Sequence, residues 1–502
     1  MRTECGHGRW LLLLLTLLLL TGDPAGVKVS AQEGGEEGIP GLPEPEQQQQ
    51  PGLPGEDASD AVQGPPAGGE PGIEAEDGSQ RPRGPIDDWR DTLMFGMDSE
   101  VMSLLESLLE QREERLHEEI AELFDSSFNP RLRRRILEFF TEMRYAGAEE
   151  RALLILSEPR EHPNDLVVAG VRYIAAAVER PSRETLQALH RISDSPQTVL
   201  AESAVRAIGR RGGDDDIEQL LVRLNDRRTA TGLRGAVVLA LGELRAAEAV
   251  DELIRISGNS SEDATVRRYA ADSLGRIGDP RAIDALSALV TSEDTLLRAY
   301  AVNGIGHFQG EQVERVLTNA LRDSFWRVRV SALQGIARHG MTDAVPAVIF
   351  RAERDPEVPV RSQAFETLAQ LDDRRARTFL REFVLNERNN EALRITALQK
   401  IVQYDAAAHL ELVETLIDGE YNKSQSRILD QIGRLLSTSD QRLPNRVYER
   451  LLHHPNFVIQ IYGLRAAGRH RLSGLRARVT EMTEEPFHQA VRRTAHDALE
   501  RM

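Results

Sequence analysis

The chain is 502 residues long with 40% apolar and 5% aromatic residues, enough for a large core built from Leu, Ile, Val and Ala more than from rings. Its formal charge of −18 is uneven: +1 over residues 1–31, −10 over 32–86, −10 over 87–130 and +1 over 131–502. A near-neutral bulk offers no basic field to attract nucleic acid, and the single cysteine, Cys5, excludes a disulfide framework.

The first element is an address. Arg2 and Arg9 precede an apolar run from Trp10 to Leu20 that only Thr16 interrupts, and Val29-Ser30-Ala31 matches a small-residue cleavage site. The pattern predicts a secretory signal peptide over 1–31 and an exported protein of the periplasm or cell envelope. The run is too short to span a bilayer comfortably, so no integral membrane span is expected in the mature chain. Residues 32–86 are dense in Gly, Pro, Gln and Glu and nearly devoid of large apolar groups. They are expected to form a disordered acidic tether.

Over 87–130 a helical pattern starts near Ser99, with Val101, Leu104, Leu105, Leu108 and Leu109, then Leu116, Ile120, Leu123 and Phe124, at spacings of three and four. This reads as an amphipathic cap on whatever follows.

Residues 131–502 repeat themselves. One position recurs at Arg133, Val168, Ala201, Arg234, Arg267, Arg298, Arg329, Arg361, Arg394, Gln425, Ile459 and Arg492, at steps of 31 to 35 residues. Counting this as position 0, positions 3 and 7 are apolar in every unit, for example Ala270 and Leu274, Ala301 and Ile305, Ala332 and Ile336. Positions 0, 3 and 7 share one helix face, and a second amphipathic segment follows each, as Asp279-Pro280 leads into Ile283, Leu286, Leu289 and Val290. A helical hairpin cannot bury both its faces alone. Stacking about twelve of them predicts an all-α fold, an α-solenoid of the armadillo and HEAT kind.

An Asp-containing turn leads into "VRRYAADSLGRIG", "LRAYAVNGIGHF", "VRVSALQGIARHG" and "VRSQAFETLAQL". These units closely resemble the HEAT family, specifically the short HEAT-like repeats first associated with phycobilisome lyases. The resemblance is strongest over 234–404 and weak where Gln425 and Ile459 replace the arginine. It implies that Arg234, Arg267, Arg298, Arg329, Arg361 and Arg394 form a structural ladder with aspartates of adjacent units, and that the arginine-bearing helix lines the concave face.

Chemistry is sparse. HEAT-like deoxyhypusine hydroxylases bind iron through His-Glu pairs, whereas this chain has one such pair, His117-Glu118, ahead of the repeats. His453-His454 lack a third ligand, and phosphate-loop, dinucleotide and nucleophile-elbow motifs are absent. The expectation is a non-enzyme without cofactor, metal or small-molecule substrate: an envelope scaffold or adaptor that binds a protein or peptide along its concave face. The alternative is a lyase-like or other HEAT-type enzyme accessory. Positions 1 and 5, together with an aromatic pair, give the expected partner-binding surface: Arg134, Tyr173, Arg206, Arg268, Asp272, Asn303, Trp326, Gln334, Glu366 and Gln399.

Overall fold

A computed structural model describes residues 84–502 apart from 227, 372 and 424. The expected signal peptide, and the tether up to residue 83, lie outside the described residues. The described chain contains 26 α-helices, four short 3-10 turns and no strand.

The helix alternation follows from local chemistry. Asp263 accepts from the N–H of Thr265 (2.9 Å) and Val266 (3.2 Å), and Asp294 from Leu296 (3.0 Å) and Leu297 (3.1 Å); each aspartate thereby starts an arginine-bearing helix, Ala264–Ile277 and Thr295–Ile305. Gly278 ends the first of these at φ +77°, a backbone state that a side chain would strain. The following helix begins at Ala282, two residues beyond Pro280, because Asp279 folds back onto the Arg281 N–H (2.9 Å) and makes a turn first.

Each arginine-bearing helix packs along its length against those of the units before and after, whereas each second helix packs mainly on the arginine-bearing helix that follows it and touches neighbouring second helices little. One row is therefore spaced more tightly than the other. A stack built this way bends toward the tight row, which becomes the inner face. Close spacing needs small residues: a Cβ on Gly275 would fall 2.7 Å from the carbonyl oxygen of Gly304 in the next unit. The repeat columns form the continuous core. Every residue at positions 3 and 7 is buried except Tyr462 and Leu499, which are half-buried.

Three features depart from the sequence reading. Residues 84–130 hold three helices, Pro85–Phe95, Asp98–Gln111 and His117–Ser126. Asp98–Gln111 packs on Pro130–Met143 as an additional inner layer ahead of Arg133, ending where Arg112 takes φ 54°. Helical order begins at Pro85, inside the stretch read as tether, since proline suits the first turn and Asp87 accepts from the Gly84 N–H (3.1 Å). Gln425 sits in an exposed turn, because Ser426 caps Leu429 N–H (3.0 Å) and starts that inner helix at Arg427.

Candidate functional site: the inner helical face

The arginines at position 0 share one contact, to backbone carbonyls at or just beyond the end of the preceding second helix. Arg267 donates to Ser257 O (3.2 Å), Arg361 to Ala352 O (3.1 Å), Arg394 to Val384 O (2.7 Å) and Arg234 to Leu224 O. Arg298 reaches Ser292 O (2.8 Å) and Arg329 reaches Asp323 O (2.9 Å). A guanidinium there satisfies carbonyls that the helix leaves without intrahelical donors.

The carboxylate rungs are less regular. Arg298 grips Asp323 through Nε and Nη2, both at 2.9 Å, and Arg329 grips Asp355 at 2.8 and 2.7 Å. Arg234 pairs with Glu262 (3.1 Å). Among the described residues Arg267, Arg361 and Arg394 make no carboxylate bond; the rung from that first unit is made by Arg268, one residue on, to Asp294 (3.2 Å). Burial alone raises the Asp355 carboxyl, but Arg329, the Glu357 N–H and Arg351 outweigh it and hold the group below the ordinary carboxylate range. Asp323 and Asp294 are likewise held low against burial by their arginines and by backbone N–H groups.

The residues expected to meet a partner divide. Tyr173 is a correction: it is fully buried, accepting from Ala148 N–H (3.0 Å) and donating to Tyr145 O (2.9 Å), and so staples two hairpins together. Asp272 is a second correction, buried beneath Arg276 (2.8 Å) and Asn303 (2.9 Å). Position 1 points toward the next unit: Arg134 bonds Asp165 (2.9 Å) and Arg268 bonds Asp294. Asn303, Gln334 and Glu366 are half-buried, with Gln334 bonded to Gln363 (3.4 Å) and Glu366 to Lys400 (2.7 Å) and Tyr404 (2.6 Å). Arg206, beside Glu202 (2.8 Å), and Gln399 are exposed. Trp326 is half-buried at the start of its helix, with the Arg327 guanidinium 5.0 Å from its ring centre.

The inner face is carried by positions 2, 5 and 9, whose spacings of three and four put them on one helix side. Sequence reasoning missed two of these rows. Position 2 supplies Tyr269 and Tyr300, ring centres 6.3 Å apart edge to face. Position 9 supplies Glu243, Arg276, His307 and Arg338, with Arg276 3.9 Å from Glu243 and Arg338 bonded to Gly306 O (2.8 Å). Tyr269 and Tyr300 are half-buried and Glu243, Arg276, His307 and Arg338 exposed, all on a face that flanking helices crowd. That crowding raises the Glu243 carboxyl and the Tyr300 phenol and lowers the Arg338 guanidinium. It also lowers His307 to about 4, with Arg338 adding to the effect, so its imidazole is neutral near pH 7.

Among the described residues no group of three His, Cys, Asp or Glu gathers as metal ligands would. His117 packs against Phe139, Phe140 and Tyr145, and His454 bonds Tyr421 O (3.0 Å) in a turn. No described helix is long and apolar enough to cross a membrane.

No curated protein matches the chain. Several solved structures are similar at low identity. Kap95p, from a study of its binding to RanGDP, shares 12% identity over 77% of this chain and 60% of its own, with a TM-score of 0.43. The CpcE–CpcF complex of phycocyanin lyase from Nostoc shares 17% over 57% and 93%, at 0.29. Human deoxyhypusine hydroxylase shares 16% over 52% and 98%, at 0.25. A family profile described as Spirochaete HEAT repeat protein matches residues 93–498, a span that contains nearly every described hairpin. The repeating arginine-bearing helices, their buried columns and this match together make the chain a member of the Spirochaete HEAT repeat protein family.

Proposed function

We propose that the protein is a non-catalytic scaffold that holds a segment of a partner protein along its inner face, and that it works in the cell envelope. The observation that carries this reading is two aromatic pairs, Tyr269 with Tyr300 on the inner row and Phe325 with Trp326 at the start of the next inner helix, with Arg327 over the second pair and its charge felt at Tyr300, set among charges that are already paired. Aromatic and arginine groups supply most binding energy at protein interfaces, and paired charges around them fix register at little desolvation cost. The export pattern of residues 1–31 supports the envelope location.

The test is photocrosslinking in the native host. A benzophenone amino acid replaces His307 on the inner row or Val222 on an outer helix, where the side chain is 67% exposed. The expected result is a discrete adduct from position 307 that weakens with Trp326→Ala, and none from position 222. Equal labelling from both positions, or none from 307, would overturn the reading.

A further inference from the structure

A solenoid ends in a helix flank with no neighbour, and such flanks are ordinarily polar. The C-terminal end conforms. In the last inner helix, Gln489–Arg501, positions 1, 4 and 8 face where a next unit would stack, and they are Arg493, His496 and Glu500, all exposed.

The N-terminal end does not conform. Met94 is 72% exposed, Phe95 77%, Met97 66% and Phe128 94%. They belong to one edge: Met94 and Phe95 end the first helix, Met97 sits at the two-residue break before the second, and Asn129 Nδ2 donates to Asp98 Oδ2 at 2.6 Å, which holds the Phe128 turn beside that break. Five exposed acids, Asp87, Asp88, Asp91, Asp98 and Glu100, share this segment with Met94, Phe95 and Met97, and the exposed cation nearest Phe128 in sequence is Arg131. Arg90, the one arginine of this segment, lies against Glu119 (2.8 Å) and Asp87 (4.0 Å), and the stretch from Asp87 to Glu100 keeps a net charge of −4.

Apolar groups set among exposed acids select the sign of what covers them. Anionic lipid headgroups are repelled, as is the same edge of a second copy. A second copy's C-terminal end is also poorly matched, because it presents charge and no apolar residue at the stacking positions. A helix with one apolar and one cationic face satisfies both requirements, and methionine adapts to varied apolar shapes. We propose that the N-terminal edge of the solenoid is a docking site for a cationic amphipathic helix of a partner protein. It is separate from the inner face, so its failure leaves that face's role untouched.

The full chain is titrated with fluorescent amphipathic peptides of about 18 residues that share a leucine face and carry either lysine or glutamate opposite it. The comparison protein carries Met94→Gln, Phe95→Gln, Met97→Gln and Phe128→Gln, all at exposed positions, with its fold checked by circular dichroism. Saturable binding of the lysine peptide is expected, weakened roughly tenfold or more in the variant, with no binding of the glutamate peptide. The acidic tether is present in both proteins, so the difference isolates the edge. Equal affinity in parent and variant, or no saturable binding, overturns the proposal. So does a micromolar self-association that the variant abolishes, because it assigns the edge to a second copy.

Discussion

Arg329 and Asp355 form a buried two-point ion pair between successive units, at 2.8 and 2.7 Å, with 5% and 2% of their surfaces exposed. Removing Arg329 leaves Asp355 held only by Arg351 (3.2 Å) and the Glu357 N–H (3.1 Å) in a poorly hydrated site. Arg329→Ala is expected to cost about 3–5 kcal/mol locally. Arg361→Ala loses a carbonyl contact and no carboxylate, and is expected to cost about 1 kcal/mol. Amide hydrogen exchange over 326–370 measures both, and equal losses would refute the distinction.

Acid should loosen the same joint. The Asp355 carboxyl is lower in the folded chain than its unfolded value of about 3.9, so the unfolded chain binds more protons between the two values. The stabilisation is present above about pH 4 and disappears as pH falls through the folded value. The stability gap between the parent and Asp355→Asn is therefore expected to be full at pH 6 and smaller at pH 3, read as urea midpoints. A gap that stays constant would exclude this linkage.

Tyr173→Phe keeps the ring and removes the hydroxyl that serves Ala148 N–H and Tyr145 O. Two backbone groups lose their partner beneath the surface, at a cost of about 1–3 kcal/mol. Exchange protection should fall at Ala148 with partner binding unchanged. Loss of binding without loss of protection would return Tyr173 to the contact surface.

Gly275→Ala forces the inner helices Ala264–Ile277 and Thr295–Ile305 apart, since the new methyl has only the Gly304 backbone to push against. Overpacking of this kind costs about 1–3 kcal/mol. The thermal midpoint should drop, and Ala271→Gly, which removes a methyl nearby, should not restore it because the clash is with backbone.

Much of the fold is legible in the sequence because the repeat supplies many copies of one statement. Ala270, Ala301 and Ala332 occupy the same column and all are buried, so errors in any single unit average out. The inner surface is harder to read. It has no apolar signature, and Tyr173 and Asp272 share position 5 with exposed Arg206 although burial removes them from contact. Burial of a polar residue depends on whether a neighbouring unit reaches over it, as Asn303 reaches Asp272, and that is a property of two units together. Row 9 could have been found from the polar column of Arg210, Glu243, Arg276, His307 and Arg338. The N-terminal edge was hidden because Met94, Phe95, Met97 and Phe128 lie at helix ends and turns, outside the amphipathic spacing, and only packing shows that no described residue covers them.

The uneven rungs also have a mechanical meaning. Where arginine clasps the next aspartate at two points, from Arg298 to Asp355, adjacent hairpins resist sliding more strongly than around Arg361 and Arg394, where the arginines hold only carbonyls and the inner helices are tied by single contacts from Glu366 to Lys400 and Tyr404. Under tension or on gripping a bulky guest, the rod should flex first near residues 361–405 while its midsection keeps its curvature, behaving as a stiff ruler with a compliant wrist.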